Sequence, residues 1–183
     1  ARGAGAGVCL HAILEQHDFR RPLVDADIEP VLLAHGFEPA QAGALGVWLN
    51  QVLAHDLRPA GLPFRLSDLE HAETVRELPF LIGAQGVEDD RMRAIVAEHL
   101  PFDPILLGDR WTGFLNGYID VLARAGGRYW LLDWKSNWLG ELPHDYGPAA
   151  LEGAMREHGY GLQIALYALA VHRWLRARLA GYD

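Results

Sequence analysis

Gly113–Asn137 reads GFLNGYIDVLARAGGRYWLLDWKSN. Two apolar runs rich in β-branched and aromatic residues flank Ala125-Gly126-Gly127-Arg128, and Gly-Gly between such runs signals a two-residue hairpin. With the turn centred on Gly126-Gly127, opposed positions sum to a constant, so Asp120 falls opposite Asp133. Directly opposed residues in an antiparallel pair lie roughly 4.5–5.5 Å apart. Side chains alternate along a strand, so Lys135 shares the face of Asp133. The ribbon therefore gathers Asp120, Asp133 and Lys135 at one spot within otherwise apolar strands.

Like charges opposed in a sheet are destabilising, and burying them unpaired costs more. A divalent cation with the lysine beside it would offset that cost, and a hard cation such as Mg²⁺ takes carboxylate oxygens. The plainer alternative pairs Lys135 with Asp133 at a sheet edge and leaves Asp120 in water. Both readings stay open on D…D-x-K alone.

The chain has 183 residues, half of them hydrophobic, enough for one domain with a real core. No apolar run is long enough to span a membrane, and no signal segment is visible. A lone Cys9 excludes an internal disulfide and a cysteine zinc site. A cytoplasmic setting without membrane contact is the expectation. The opening ARGAGAG reads as the cut end of a longer chain. The net charge of −8 argues against a general nucleic-acid surface, which is basic, though metal-binding carboxylates contribute to that count.

Around the hairpin, Val8–Asp18 has helical spacing, with Leu10, Ile13 and Leu14 inward and His11 sharing a face with Glu15. That pair reads equally as a simple surface pair. Asp25–His35 and Pro39–His55 follow as helices, the second with a stripe of Leu45, Leu49, Val52 and Leu53 beside Trp48. Asp56–Asp68 is a proline- and glycine-bearing connector. Ala72–Gly83 reads as a strand that Pro79 confines to an edge or a bulge. Glu77 within it is either a neighbour of the site or a surface residue. Val87–Leu100 has a helical pattern with acids at its start, ended by Pro101 and Pro104. Past the hairpin, Asn137 is a candidate cap or a support for the site. Pro148–His158 is a short helix, and Tyr160–Leu179 a long one whose core face is Leu162, Ala165, Leu166, Leu169, Ala170 and Leu175. Gln163 and Tyr167, adjacent on that helix, need partners in an apolar setting, and Tyr160 lies on the same side. Arg173, Arg176 and Arg178 suit the C-terminal end of the helix dipole, with phosphate contact as the alternative use.

Taken together, these segments resemble the RecB-type nuclease domain of exodeoxyribonuclease V, within the PD-(D/E)xK nuclease superfamily. GVCLHAILEQHDF resembles its first helix, GYIDVLARAGGRYWLLDWKSNWLG its central hairpin, and YGLQIALYALAVHRWLRARLAGYD its Y-x-x-Q-x-x-x-Y helix. The resemblance covers Gly7–Phe19 and Gly113–Asp183 well and the middle poorly. It implies an α/β (mixed α+β) restriction-endonuclease-like core, a central mixed sheet with an antiparallel hairpin flanked by helices, plus an N-terminal helical insertion. The whole of residues 1–183 would be a single nuclease domain excised from a helicase-nuclease chain, ending where the family adds another strand.

The resemblance further implies Mg²⁺, or Mn²⁺, bound by His11, Asp120, Asp133 and the backbone carbonyl of Trp134. Lys135, Gln163 and Tyr167 would join the aspartates in catalysis, and Tyr160, Asn137 and Arg173 would meet substrate. The implied reaction is hydrolysis of DNA phosphodiesters at linear ends or on single strands, in a repair and recombination assembly with RecC- and RecD-like subunits. The carboxylates around Lys135 favour its charged form, so it is expected to orient water and offset charge rather than abstract a proton. The ligand count admits one cation or two. The chain has no G-x-x-x-x-G-K-[ST] loop, so ATP is assigned to the parent helicase and not to this domain. The competing readings are a catalytically silent module of the same fold that binds DNA or a partner, and a metal-dependent phosphohydrolase of small substrates.

Overall fold

The computed structural model describes residues 3–88, 90, 94, 98 and 110–182. In chain order the elements are α1 (Ala4–Gln16), α2 (Asp25–Ala34), α3 (Ala42–Ala54), β1 (Thr74–Glu88), β2 (Arg110–Ala125), β3 (Arg128–Leu132), α4 (Pro148–Glu157) and α5 (Tyr160–Arg176). The strands form one sheet in the order β1-β2-β3, antiparallel throughout among the described residues. The fold is therefore the mixed α/β, restriction-endonuclease-like one that the resemblance implies. Backbone packing divides the chain into two compact units, Ala1–Leu78 with Ile119–Ser136, and Pro79–Tyr118 with Asn137–Asp183.

The hairpin has the expected register, from Val121 opposite Leu132 to Ala125 opposite Arg128. Gly126 and Gly127 both take positive φ, 58° and 72°, the pair of left-handed conformations that a type I′ turn demands and that glycine adopts without strain. The ladder stops one pair short of Asp120 opposite Asp133. There the Asp120 side chain replaces backbone pairing, its Oδ2 accepting from the Trp134 amide at 2.6 Å.

The first unit is built by packing α1, α2 and α3 against the hairpin. Ile13 and Leu14 of α1, Ile28 and Leu32 of α2, and Leu49 and Leu53 of α3 join Phe19, Leu23, Phe64, Val121 and Ala123 in one buried cluster. Each Leu, Ile, Val or Phe side chain among them contributes about 1.5–3 kcal/mol when taken out of water. The Asn50 amide holds the turn before α2 by bonding both the amide and the carbonyl of Leu23, each at 2.9 Å.

In the second unit, Phe80 stands edge-on to Tyr167 with ring centroids 5.5 Å apart. A Cβ at Gly117 would lie 2.9 Å from the Phe80 ring, so glycine there leaves room for it. The buried face of α5 is Gly161, Tyr167, Ala170, Val171 and Leu175. Ala170 and Leu175 are buried as expected, but the rest of the expected face is corrected. Leu169 is 38% exposed and Tyr167 only 9%, because a tyrosine buries its ring as effectively as a leucine when its hydroxyl finds a partner.

β1 runs on past Gly83 to Glu88, so Val87 and Glu88, expected to open a helix, are strand. The remainder of that expected helix falls largely outside the described residues, as do Pro101 and Pro104. Among the described residues β1 is an edge strand, the place where Pro79 is tolerated.

Candidate metal centre

Three backbone devices bring the site together in the first unit. The first is close approach of α1 to the segment after β3. Gly7 is buried, and a Cβ there would sit 2.7 Å from Ser136 Oγ. One turn further along α1, His11 Nε2 donates to the Trp134 carbonyl at 3.1 Å. The second device is the end of the ladder, where Asp120, 7% exposed, receives the Trp134 amide. Trp134 thus binds Asp120 through its N–H and His11 through its carbonyl, and His11 Nδ1 lies 3.5 Å from Asp120 Oδ1.

The third device is strain in β1. Glu77 has φ 46°, a left-handed conformation that costs a side-chain-bearing residue roughly 1–3 kcal/mol and persists only where the surroundings enforce it. The outcome is that His11, Glu77 and Asp120 each offer a ligating atom within 4.8 Å of the others. Among the described residues this is the one such trio. The sequence left Glu77 undecided, because an alternating strand pattern carries no sign of a kink that re-aims one side chain.

Asp133 and Lys135 form an ion pair beside the trio, as the plainer alternative expected. Asp120, however, is buried and hydrogen-bonded rather than solvated. Burial pushes the Asp133 carboxyl up, and Asp120 adds to the rise while Lys135 opposes it. Burial also raises the Glu77 carboxyl, with Asp120 and Glu15 adding to the rise. Two carboxyls that hold protons unusually well beside a third carboxylate describe a place short of positive charge. His11 is raised chiefly by its hydrogen bond to Asp120, against the effect of burial.

This donor set fits a divalent cation. It offers carboxylate oxygens and an imidazole, donors that divalent metal ions take. The bond from Nε2 to Trp134 favours the tautomer whose Nδ1 lone pair faces Asp120. The Trp134 carbonyl keeps a second lone pair.

The other candidate residues lie in the second unit. Tyr160 hydroxyl donates to Asn137 Oδ1 at 3.0 Å, and Gln163 Nε2 donates to the Tyr167 hydroxyl at 2.7 Å. The second pair answers the need for partners that the apolar pattern implied for Gln163 and Tyr167. Arg173 is exposed in the last turn of α5.

A profile of the PD-(D/E)XK nuclease superfamily matches residues 2–181. The chain belongs to that superfamily. Over its whole length it is 36% identical to RecBCD enzyme subunit RecB of Escherichia coli, covering 16% of that protein. It is 29% identical to the Haemophilus influenzae RecB over its whole length, covering 15% of that protein. Over 98% of its length it is 33% identical to the Mycobacterium tuberculosis RecB, covering 19% of it. The chain thus spans less than a fifth of the length of these relatives. Among the described residues no helix is long and apolar enough to cross a membrane.

Proposed function

We propose that this chain is a Mg²⁺-dependent deoxyribonuclease that hydrolyses phosphodiester bonds, working as the nuclease segment of a RecB-like subunit. The observation that carries the reading is the convergence of His11, Glu77 and Asp120 within 4.8 Å beside the Asp133–Lys135 pair. His11, Asp120, Asp133 and the Trp134 carbonyl would hold the cation, with Glu77 added to that set by its place in the trio. When bound, such an ion activates a water for attack and offsets charge on the transferring phosphate. Lys135, held by Asp133, keeps its ammonium where it can orient that water. Asp120 fixes the imidazole, and Trp134 fixes both. The roles of Gln163 and Tyr167 in catalysis, and of Tyr160, Asn137 and Arg173 toward substrate, rest on the family motif rather than on a distance.

Linear ends and single strands are the proposed substrates. RecC- and RecD-like subunits are the proposed partners, in a cytoplasmic helicase-nuclease of double-strand break repair. ATP belongs to the motor of that assembly. The test is cleavage of linear DNA with Mg²⁺ or Mn²⁺ by the native chain, Asp133→Ala and Lys135→Ala, each checked for folding by circular dichroism. Both variants should lose at least 100-fold in rate. Native-like cleavage by either would refute the assignment, and a native chain that binds Mn²⁺ without cutting would favour the silent module.

A further inference from the structure

β1 enters the metal centre through two consecutive residues, and the first of them, Arg76, has no catalytic role in anything set out above. Its guanidinium reaches the end of α1. Nη1 donates to the carbonyls of Leu14 at 3.3 Å and Glu15 at 3.2 Å, and also to that of His17. Leu14 and Glu15 are among the last carbonyls of α1, which have no partner within the helix, and His17 is its C-cap. α1 carries no basic residue in its own last turn, so the cation that a helix C-terminus favours is supplied from β1. The same guanidinium lies 4.0 Å over the Phe19 ring. Phe19 is 2% exposed, and its ring meets that of Trp134 edge-on at 6.3 Å.

Arg76 therefore touches each of the three pieces that carry the site. It ends α1, which bears His11. It precedes Glu77 in β1. Through Phe19 it backs Trp134, which holds both His11 and Asp120. The arrangement is not the cheapest one for stability. Burial lowers the hold of this guanidinium on its proton, and its buried Nε has no hydrogen-bond partner among the described residues, a loss that buried polar groups rarely accept. The adjacent Glu77 sits at φ 46°, so a conformation needing enforcement stands next to a residue anchored on several sides.

We propose that Arg76 is a positioning residue for the cation site, fastening β1 to the end of α1 and to Phe19 so that His11 and Glu77 meet at ligating distance. The proposal rests on the reading of that trio as a cation site. The guanidinium suits the task better than an ammonium, since one planar group both stacks on a ring and reaches several carbonyls.

The experiment is a Mn²⁺ titration of the 183-residue chain followed by electron paramagnetic resonance, with thermal melts in EDTA alongside. The variants are Arg76→Met, Arg76→Lys, Glu77→Gln and the core control Ile13→Val. A residue supporting metal ligands from behind changes affinity by about 10–100-fold when removed. Arg76→Met should weaken Mn²⁺ binding at least 10-fold while the chain remains folded at the titration temperature, and Arg76→Lys should recover part of that loss. Ile13→Val should lower the melting midpoint and leave affinity as in the native chain. A folded Arg76→Met that binds Mn²⁺ with native affinity overturns the inference, whatever its melting midpoint. Should Arg76→Met not fold, Arg76→Lys decides: a weakened affinity supports the inference and a native one overturns it. A native chain that binds no Mn²⁺, or a Glu77→Gln variant that binds as well as native, removes the trio itself and the inference with it. That outcome is distinct from native binding left unmoved by Arg76 variants alone.

Discussion

His11 makes the pH dependence of this site readable with a definite sign. Its proton is held above the ordinary histidine range of about 6.5, chiefly because Asp120 accepts from the ring, with the Trp134 carbonyl and Glu77 assisting and burial opposing. A cation needs the neutral ring, so proton and metal compete. Mn²⁺ affinity should therefore fall as pH drops, starting above pH 6.5 or so. The metal-free chain behaves oppositely. A folded-state value above the unfolded one stabilises the fold fully below about pH 6.5, and that contribution is lost as pH rises through the folded value. In EDTA, the melting midpoint of the native chain relative to His11→Ala should fall with rising pH across this window. In saturating Mn²⁺ the same difference should rise. Equal slopes with and without metal would separate His11 from the cation.

Glu77 gives the companion case. Its carboxyl is raised by burial and then by Asp120 and Glu15, so its ionised form is a strain on the metal-free fold. Glu77→Gln should raise the melting midpoint in EDTA and weaken the cation-linked rise, which for the native chain at a free concentration 100 times Kd is about 2.7 kcal/mol. Calorimetry in EDTA and in Mn²⁺ checks both halves. At this scale the sequence told much but not all. Asp120, Asp133 and Lys135 were legible because opposed charges on a ribbon have few physical excuses. Glu77 was not, since its part depends on a single backbone torsion.

The site exists because elements approach closely, and the approach of α1 to the end of the hairpin depends on the missing side chain at Gly7. A Cβ there would lie 2.7 Å from Ser136 Oγ, nearer than the two atoms can stand, so the serine must rotate or the helix must retreat. Gly7→Ala should weaken Mn²⁺ binding several-fold, through the bond from His11 to Trp134, more than it lowers stability. Adding Ser136→Gly should restore affinity, a coupling that a double-mutant cycle reads directly. Additive effects would mean that the glycine serves only the helix.

The turn and register of the hairpin were legible. Two glycines between β-forming runs specify turn type and hence register, and the register brings Asp120 to the end of the ladder near Asp133. The inward face of α5 was less so, because apolar counting ranks Leu169 above Tyr167, whereas Phe80 makes the tyrosine ring the better buried of the two. The place where the ladder stops was also hidden. It depends on a side-chain carboxylate winning an amide from the backbone, a competition that pattern does not encode.

For the molecule as a whole, charge bears on the proposed encounter with DNA. Spaced motifs announced the superfamily from sequence, since several short patterns in one order are far more specific than any one of them. The net charge of −8 pointed the other way, because nucleic-acid affinity arises mainly from cations that displace counterions from phosphate. The two signals agree if the missing positive charge arrives with the metal. His11, Glu77 and Asp120 converge where burial raises the Glu77 and neighbouring Asp133 carboxyls, and a dication there would turn a repulsive patch into one that accepts a phosphate. DNA binding by this chain should then depend on the cation rather than on a basic surface. Lys135→Ala, expected to bind without cutting, is the suitable probe. Fluorescence anisotropy with a single-stranded oligonucleotide should show at least 10-fold tighter binding in Mg²⁺ than in EDTA at the same ionic strength. Adding Asp120→Asn should remove most of that difference. Equal affinity with and without the cation would locate DNA recognition elsewhere on the chain and leave the acidic balance without this explanation.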